Sequence, residues 1–295
     1  MVKTAMLLFS VIIPTANRYD KLLNVIESLE KQAFDHDKFE VIVVNDGSTE
    51  LAYQNLYKLP DQFANLQLKI LSQPSSGAAV ARNLGLDYAE GKYVLFLGDD
   101  TNAHESLLNE HFKTHSLYSK VSVLGCVDWE PSLAKNSVMA FIAPYGPQFD
   151  YNIKKPLNCG YRHFYTSNLS VPKEVLGNNP FRIAFTGCCW EDIDLGYRLE
   201  KKGIPIVYQP KALVFHDHFH DESSFVRRQH NAGRNKKVFY KLNPELKSFK
   251  DTLFFLKLRL LFCLALKSIG KLSKNRNFYY YGLFEEAWIR EFLKK

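Results

Sequence analysis

The sequence predicts an α/β fold in which a mostly parallel sheet is flanked by helices, with a basic helical C-terminal region after it. Three observations carry this prediction. Short apolar runs alternate with amphipathic segments from Phe9 to Asp100, and polar residues gather just after those runs. Beyond residue 221 the pattern becomes helical and the charge becomes positive.

The elements follow in order. "FSVIIPT", Phe9 to Thr15, reads as a first strand. Lys3 and the apolar stretch after it have the outline of a signal peptide, but the β-branched run ending at Pro14 fits a buried strand better. "RYDKLLNVIESLEKQ" places Leu22, Leu23, Ile26 and Leu29 at helical spacing, and "KFEVIVVNDGS" is a second strand closed by turn residues. "LQLKILSQ" supplies a third strand, "GAAVARNLGLDYAEG" a helix stopped by Gly91, and "KYVLFLGDD" a fourth strand. Continuous apolar strands joined by amphipathic helices argue for a parallel sheet covered on both faces, in which ligands bind beyond the C-terminal strand ends. Thr15, Asn17, Asp46, Asp99 and Asp100 all fall at such ends.

From 105 to 220 the strands are not legible, although "CCWEDIDLGYRLEKKG" reads as a helix with acidic residues at its start and Gly203 at its end. "IPIVYQPKALVFHDH" reads as an edge strand, a turn at Pro210 and a second strand. "DTLFFLKLRLLFCLALKSIGK" is the most apolar segment, but its longest uncharged stretch runs only from Leu260 to Leu266. A membrane span needs about 20 apolar residues, so this is read as a packed or interfacial amphipathic helix.

Composition narrows the function. With 46% hydrophobic and 23% charged residues and no repeat, the chain belongs with globular proteins rather than disordered or fibrous ones. Residues 222–295 hold 17 Lys/Arg against 6 Asp/Glu, whereas the first 221 hold 21 against 25, so the formal charge of +7 resides in the C-terminal quarter. That region points to a polyanionic or membrane-surface neighbour. Five cysteines, with only Cys188 and Cys189 close in sequence, suit neither a disulfide framework nor a zinc site and are read as reduced thiols of a cytoplasmic protein.

Adjacent carboxylates such as Asp99 and Asp100 repel each other when both are ionised and desolvated, a difficulty that a divalent cation removes. Glu191 and Asp192 form a second acidic pair. His216, His218 and His220 alternate, which on a strand would put them on one face. His111 and His115, at helical i, i+4 spacing, lack the glutamate of a zinc-protease motif and are read as surface or acceptor-side residues.

Five ordered segments, "SVIIPTANR", "VIVVNDGS", "SSGAAVARNLGLDYAEGKYVLFLGDD", "GCCWEDIDLGYRL" and "HDH", together resemble the family 2 glycosyltransferases of the GT-A fold, over roughly residues 9 to 220. The resemblance implies a nucleotide diphosphate-sugar donor, a UDP-sugar first among them, and a divalent cation, Mn²⁺ or Mg²⁺. It implicates Pro14, Thr15, Asn17, Arg18 and Asp46 in holding the nucleobase and ribose, and Gly77, Arg82, Asp99 and Asp100 in holding the diphosphate and metal. Asp100 is the implied metal ligand, with Asp99 on the ribose or a metal-bound water, and His216, or alternatively His218, completing the site. Gly98 departs from the pattern, standing where many members carry a third aspartate. "WEDID" is similar to the WEDxD segment of galactosyltransferases and makes Asp192 the implied base of an inverting transfer. Glu191 and Trp190 would bind the acceptor, and the roles of Glu191 and Asp192 are exchangeable.

The domain organisation implied is a GT-A unit over 1–221, with a nucleotide-binding half (1–104) and an acceptor half (105–221), and a basic helical extension over 222–295. The expected activity adds one sugar to a glycan or lipid-linked acceptor in cell-envelope polysaccharide assembly. It would proceed in the cytoplasm with peripheral contact on the inner face of the membrane through the basic region, and with no nucleic-acid partner. Two other readings compete. A sugar nucleotidyltransferase usually opens with a glycine-rich loop, and "PTANRYDK" has none; a non-catalytic nucleotide-sugar binder or a nucleic-acid protein would use the basic tail, but no nucleic-acid motif appears and the acidic cleft argues the other way.

Overall fold

The computed structural model describes residues 6–49 and 54–294; Lys3, where the signal-peptide outline begins, lies outside them. Among the described residues eight strands form one sheet: β1 (Phe9–Thr15), β2 (Phe39–Asp46), β3 (Gln67–Gln73), β4 (Tyr93–Leu97), β5 (Thr101–Ala103), β6 (Ser122–Trp129), β7 (Asn168–Pro172) and β8 (Ile206–His216). Their order across the sheet is β3-β2-β1-β4-β7-β6-β8-β5. The first four are mutually parallel, with Phe9 opposite both Phe39 and Tyr93. β7 then runs antiparallel to β4 and β6, and β5 antiparallel to β8.

Helices α1 (Tyr19–Glu30), α2 (Ala78–Tyr88), α3 (Leu107–Leu117), α4 (Ser137–Ile142), α5 (Glu191–Lys201), α6 (Glu222–Leu242), α7 (Leu253–Leu272) and α8 (Arg276–Leu293) complete the main elements. The chain divides into two compact units. The first comprises the residues up to Leu133, Asp150–Ile183 and Glu191–His218, and holds the whole sheet. The second comprises Ala134–Phe149, Ala184–Trp190 and the residues from Phe219 onward, with α4 and α6–α8.

Core positions explain the parallel half. Val11, Ile12 and Ile13 of β1 and Val41 to Val44 of β2 are completely buried, so both faces of these strands are covered and the apolar runs do not alternate. Each such side chain contributes about 1.5–3 kcal/mol relative to exposure. Beneath the N-terminal ends, buried Glu40 accepts from Ser10 Oγ (2.6 Å) and from the amide of Glu90 (2.7 Å), and pairs with Lys69 (2.8 Å).

The helix α2 ends at Tyr88, three residues before Gly91, which serves packing instead. A Cβ at Gly91 would lie 2.5 Å from the carbonyl carbon of Phe9 and the amide nitrogen of Ser10. Neither backbone atom can yield without moving β1, so Gly91→Ala is expected to cost about 2–3 kcal/mol, read as a fall of several degrees in the thermal midpoint. An unchanged midpoint would mean that the loop relaxes freely.

Two expectations are corrected. There is no turn at Pro210: β8 runs unbroken from Ile206 to His216, and the residues between Gln209 and Leu213 bulge between the pairs Gly125↔Gln209 and Cys126↔Leu213. The bulge accommodates a proline that has no N–H to donate. His111 and His115 are not surface residues. Both are buried on α3, where they hydrogen-bond to Asn168 and Ser170 of β7.

Candidate functional site

The parallel strands deliver their polar residues to one end of the sheet. Pro14 and Thr15 close β1, and Asn17 turns the chain with φ of 55° into α1. Asn17 Oδ1 accepts from the amide of Thr49 (2.6 Å), and its own amide donates to Ser48 Oγ (2.9 Å), so the loops after β1 and β2 are tied together. At the end of β2, Asp46 accepts from Gln73 Nε2 (2.8 Å) and from the amides of Ser76 (2.7 Å) and Gly77 (2.9 Å). Its carboxylate thereby shapes the loop that enters α2, where Gly77 has a φ of 93° and open space in place of a side chain.

Asp99 and Asp100 follow β4 and are both buried. The chain folds tightly here, with Thr101 Oγ1 donating to the Gly98 carbonyl (2.9 Å). A Cβ at Gly98 would sit 2.9 Å from Asp100 Oδ1, which accounts for glycine at this position. The antiparallel pairing of β5 with β8 sets Thr101 opposite His216, and the amide of Asp217 donates to the carbonyl of Asp100 (2.8 Å). Those contacts bring Asp100 Oδ2 to 3.4 Å from His216 Nε2 and 3.0 Å from His218 Nδ1. Asp100, His216 and His218 form a group whose ligand atoms all lie within 4.8 Å of one another. The strand stops at His216, so His218 reaches the cluster from a loop rather than from a common strand face, and His220 belongs to the other unit.

Arg18 lies across both carboxylates. Its Nη1 is 2.7 Å from Asp99 Oδ1 and its Nη2 is 2.7 Å from Asp100 Oδ2 and from His218 Nδ1. Arg18 Nη2 can only donate, so its contact calls for a lone pair on His218 Nδ1, whereas the 3.0 Å contact of that nitrogen with Asp100 Oδ2 calls for a proton on it. Both carboxylates face the Arg18 charge. Burial and the charge of Asp100 push the Asp99 carboxyl up to about 6, against Arg18 and a hydrogen bond from Thr15 Oγ1 (2.9 Å). Burial acts the same way on Asp100, but His216, the His218 hydrogen bond and Arg18 outweigh it and hold this carboxyl well below the usual range.

The second acidic pair opens α5 in the same unit. Glu191 is buried and pairs with Arg82 of α2 (Oε1 to Nη1, 3.1 Å), whose guanidinium also lies over Phe181. Asp192 is half-buried, and its Oδ1 accepts from the amide of Ile193 (2.8 Å). Asp194, the third acid of "WEDID", is buried and bound by Arg182 (3.1 Å) and Arg198 (2.9 Å), a structural role. Trp190 falls in the second unit, tilted against Phe239 at 5.0 Å and beneath Lys236.

The sequence alone gives no sign of Lys21, whose Nζ lies 2.6 Å from Asp217 and pins the histidine loop to α1. Only its place in the first turn after the Arg18 segment could have suggested it. A cavity of about 780 Å³ opens near the start of β4, lined by Tyr93, His115 and Lys173, and none of the residues singled out for chemistry borders it.

Comparison with known proteins decides the family. The profile of glycosyl transferase family 2 matches residues 10–170, more than half of the chain. The chain belongs to glycosyl transferase family 2. This family 2 chain is 37% identical over 105 residues to TarS, a poly(ribitol-phosphate) β-N-acetylglucosaminyltransferase of Staphylococcus aureus, covering 36% of the chain and 18% of TarS. It is 31% identical over 205 residues to the amylovoran biosynthesis glycosyltransferase AmsB of Erwinia amylovora, covering 68% of the chain and 66% of AmsB. The match to validoxylamine A glucosyltransferase of Streptomyces hygroscopicus subsp. jinggangensis is 26% over 226 residues, 68% of the chain and 53% of that enzyme. The chain thus spans from under a fifth to about half of the first curated relatives it matches.

Among solved structures, the mannosyltransferase PcManGT of Pyrobaculum calidifontis, in complex with GDP-Man and Mn²⁺, superposes with a TM-score of 0.64 at 16% identity, over 95% of this chain and 85% of that one. Residues 1–349 of TarS superpose with a TM-score of 0.57 at 19% identity, over 97% and 89%. The fold of the family 2 chain is GT-A, as the sequence led one to expect.

Proposed function

We propose that the chain transfers a single sugar from a nucleotide diphosphate-sugar, a UDP-sugar first among the candidates, to a glycan or lipid-linked acceptor in cell-envelope polysaccharide assembly, with inversion at the anomeric carbon. The observation that carries this reading is the convergence of Asp100, His216 and His218 beyond the C-terminal end of a parallel strand. Family membership supports it, as do the sugar-transferring relatives and the neighbours solved with UDP-GlcNAc or with GDP-Man and Mn²⁺.

A carboxylate and two imidazoles whose ligand atoms lie within 4.8 Å of one another fit a divalent cation. Two nitrogen ligands suit Mn²⁺ better than Mg²⁺, which prefers oxygen throughout. When bound, the cation supplies positive charge against the leaving diphosphate. Arg18 Nη2 and a cation at Asp100 compete for the same Oδ2 lone pairs, so Arg18 is the residue that must yield and becomes available to the nucleotide. Asp99, held by Thr15, faces the ribose or a metal-bound water. Pro14, Asn17, Asp46 and Gly77 build the loops around the nucleobase and diphosphate, with Arg82 as a further cation. Residues 1–104 are assigned to the donor and 105–221 to the acceptor, with 222–295 as an extension.

Asp192 is assigned as the base that takes the proton of the acceptor hydroxyl, in the manner of the WEDxD segments it resembles. It is the more accessible of the two carboxylates, whereas Glu191 is engaged by Arg82. Glu191 and Trp190 are assigned to acceptor positioning.

Thermal unfolding with UDP, GDP, dTDP and CDP, each with and without Mn²⁺, tests the donor half of this reading beside an Asp100→Ala variant. A ligand at about 100 times its dissociation constant adds roughly 2.7 kcal/mol, a shift of several degrees. One diphosphate stabilising the wild type only with metal, and not the variant, is the expected result. A folded protein that none of them stabilises would defeat the proposal.

A further inference from the structure

Helix α7 is built inside out. Its 20 residues contain no Asp or Glu and span roughly 30 Å. Two of its four charged residues turn inward: Arg259 pairs with Glu285 of α8 (2.7 Å), and Lys267 pairs with Glu286, which also holds Arg290 (2.8 Å). Leu256, Cys263 and Gly270 fill the rest of the inner face, where Gly270 and Gly282 let α7 and α8 approach closely. The outward face carries Leu253, Phe254, Leu258, Leu261, Phe262 and Leu272, from 54% to 86% exposed. Leu253, Phe254, Leu258, Leu261 and Phe262 cluster on this face over the first half of the helix, and Ala265, Ser268 and half-exposed Ile269 continue it to Leu272. Phe249, 71% exposed, lies just before it in the chain.

In water this arrangement is backwards: Arg259 and Lys267 sit where apolar packing would serve, while large apolar residues face outward. It is the expected arrangement if the outer face meets hydrocarbon. We propose that α7 lies in the plane of an anionic membrane surface, with this face inserted between the lipid headgroups. Exposed lysines frame the face: Lys247 and Lys250 before the helix, Lys257 within it, Lys271 and Lys274 at its end. Asp251, beside them, is buried and bound by Tyr240 and Ser248. Positive charge around an acid-free apolar face complements anionic headgroups. The same charge disfavours a second copy as occupant, because a two-fold contact would set these lysines against each other. No helix among the described residues is long and apolar enough to cross a membrane, so the contact is peripheral along the surface.

Vesicle flotation tests the proposal without any sugar donor, so its outcome is independent of the transferase reading. Phosphatidylcholine vesicles, alone or with about one third phosphatidylglycerol, are mixed with the wild type and with a Phe254→Ser/Leu258→Ser/Leu261→Ser variant. The wild type is expected to float with the anionic vesicles, and the variant to float about tenfold less while keeping the wild-type unfolding midpoint. A second variant, Lys257→Glu/Lys271→Glu, is expected to weaken flotation most at low salt. Failure of the wild type to float with either vesicle, or equal flotation of the triple variant, would overturn the proposal. So would a wild-type dimer that the triple variant converts to monomer without any vesicle binding.

Discussion

Asp192→Asn is expected to lower the turnover of sugar transfer by about 10²–10⁴-fold while leaving the unfolding midpoint and the donor-induced shift unchanged. The change removes the proton acceptor and keeps the side-chain shape and the oxygen that accepts from the Ile193 amide. Glu191→Gln should behave in the opposite way. Its carboxylate is buried against an Arg82 side chain only 11% exposed, and neutralising it leaves a nearly buried guanidinium without its counter-charge. Breaking such a pair costs about 3–5 kcal/mol, and the lost carboxylate at the α5 N-terminus adds roughly 0.3–1 kcal/mol. Expected is a fall of about ten degrees in the midpoint, with residual turnover at temperatures where the protein stays folded. Stable Glu191→Gln protein without turnover, beside an active Asp192→Asn protein, would exchange the two roles.

How much was legible in the sequence follows from how local each determinant is. The strands β1, β2 and β4 were readable because apolar runs such as Val41 to Val44 bury both faces of a strand, and their carboxylates had to fall at the ligand edge, whereas β3 is only partly buried. Gly98 stood out as a departure, but its reason, the 2.9 Å approach of a Cβ to Asp100, is tertiary. The partner of Arg18 was likewise out of reach: it binds Asp99 and Asp100, which lie 81 and 82 residues further along. Lys257 and Arg259 looked alike as interruptions of an apolar run, yet Arg259 turns inward to Glu285 whereas Lys257 is exposed. Periodicity places residues on a helix face without saying which face is covered. β7 was illegible because "NLSVP" is short and its polar residues face inward, towards the histidines of α3.

Those histidines make stability depend steeply on acid. Asn168 Nδ2 donates to the carbonyls of Cys126 (3.0 Å) and Ala212 (2.8 Å), so its Oδ1 must accept from His111 Nε2 (2.9 Å). His111 Nδ1 then accepts from Ser170 Oγ (2.8 Å), and Ser170 Oγ, its proton spent, accepts from His115 Nε2 (2.7 Å). The chain is complete with both imidazoles neutral. A proton added at His111 Nδ1 would face the Ser170 hydroxyl, and one added at His115 Nδ1 would find no acceptor. Burial accordingly pushes His111 down to about 4, and burial with the neighbouring charges of His111 and Lys92 pushes His115 down to about 3. In the unfolded chain both titrate near 6.5. Between 6.5 and the folded values the unfolded state binds more protons, so the stability present above pH 6.5 drains away as the pH falls. Across its own window His111 accounts for about 3 kcal/mol and His115 for about 5 kcal/mol. Urea midpoints measured from pH 7 down to pH 4.5 should therefore fall, with Asp99, held up near 6, offsetting part of the loss, and His115→Phe, which keeps a ring against Tyr93, should remove the share of the slope that His115 carries. Equal slopes in the two proteins, or imidazole resonances titrating near 6.5 in the folded state, would show that the pair is not held neutral.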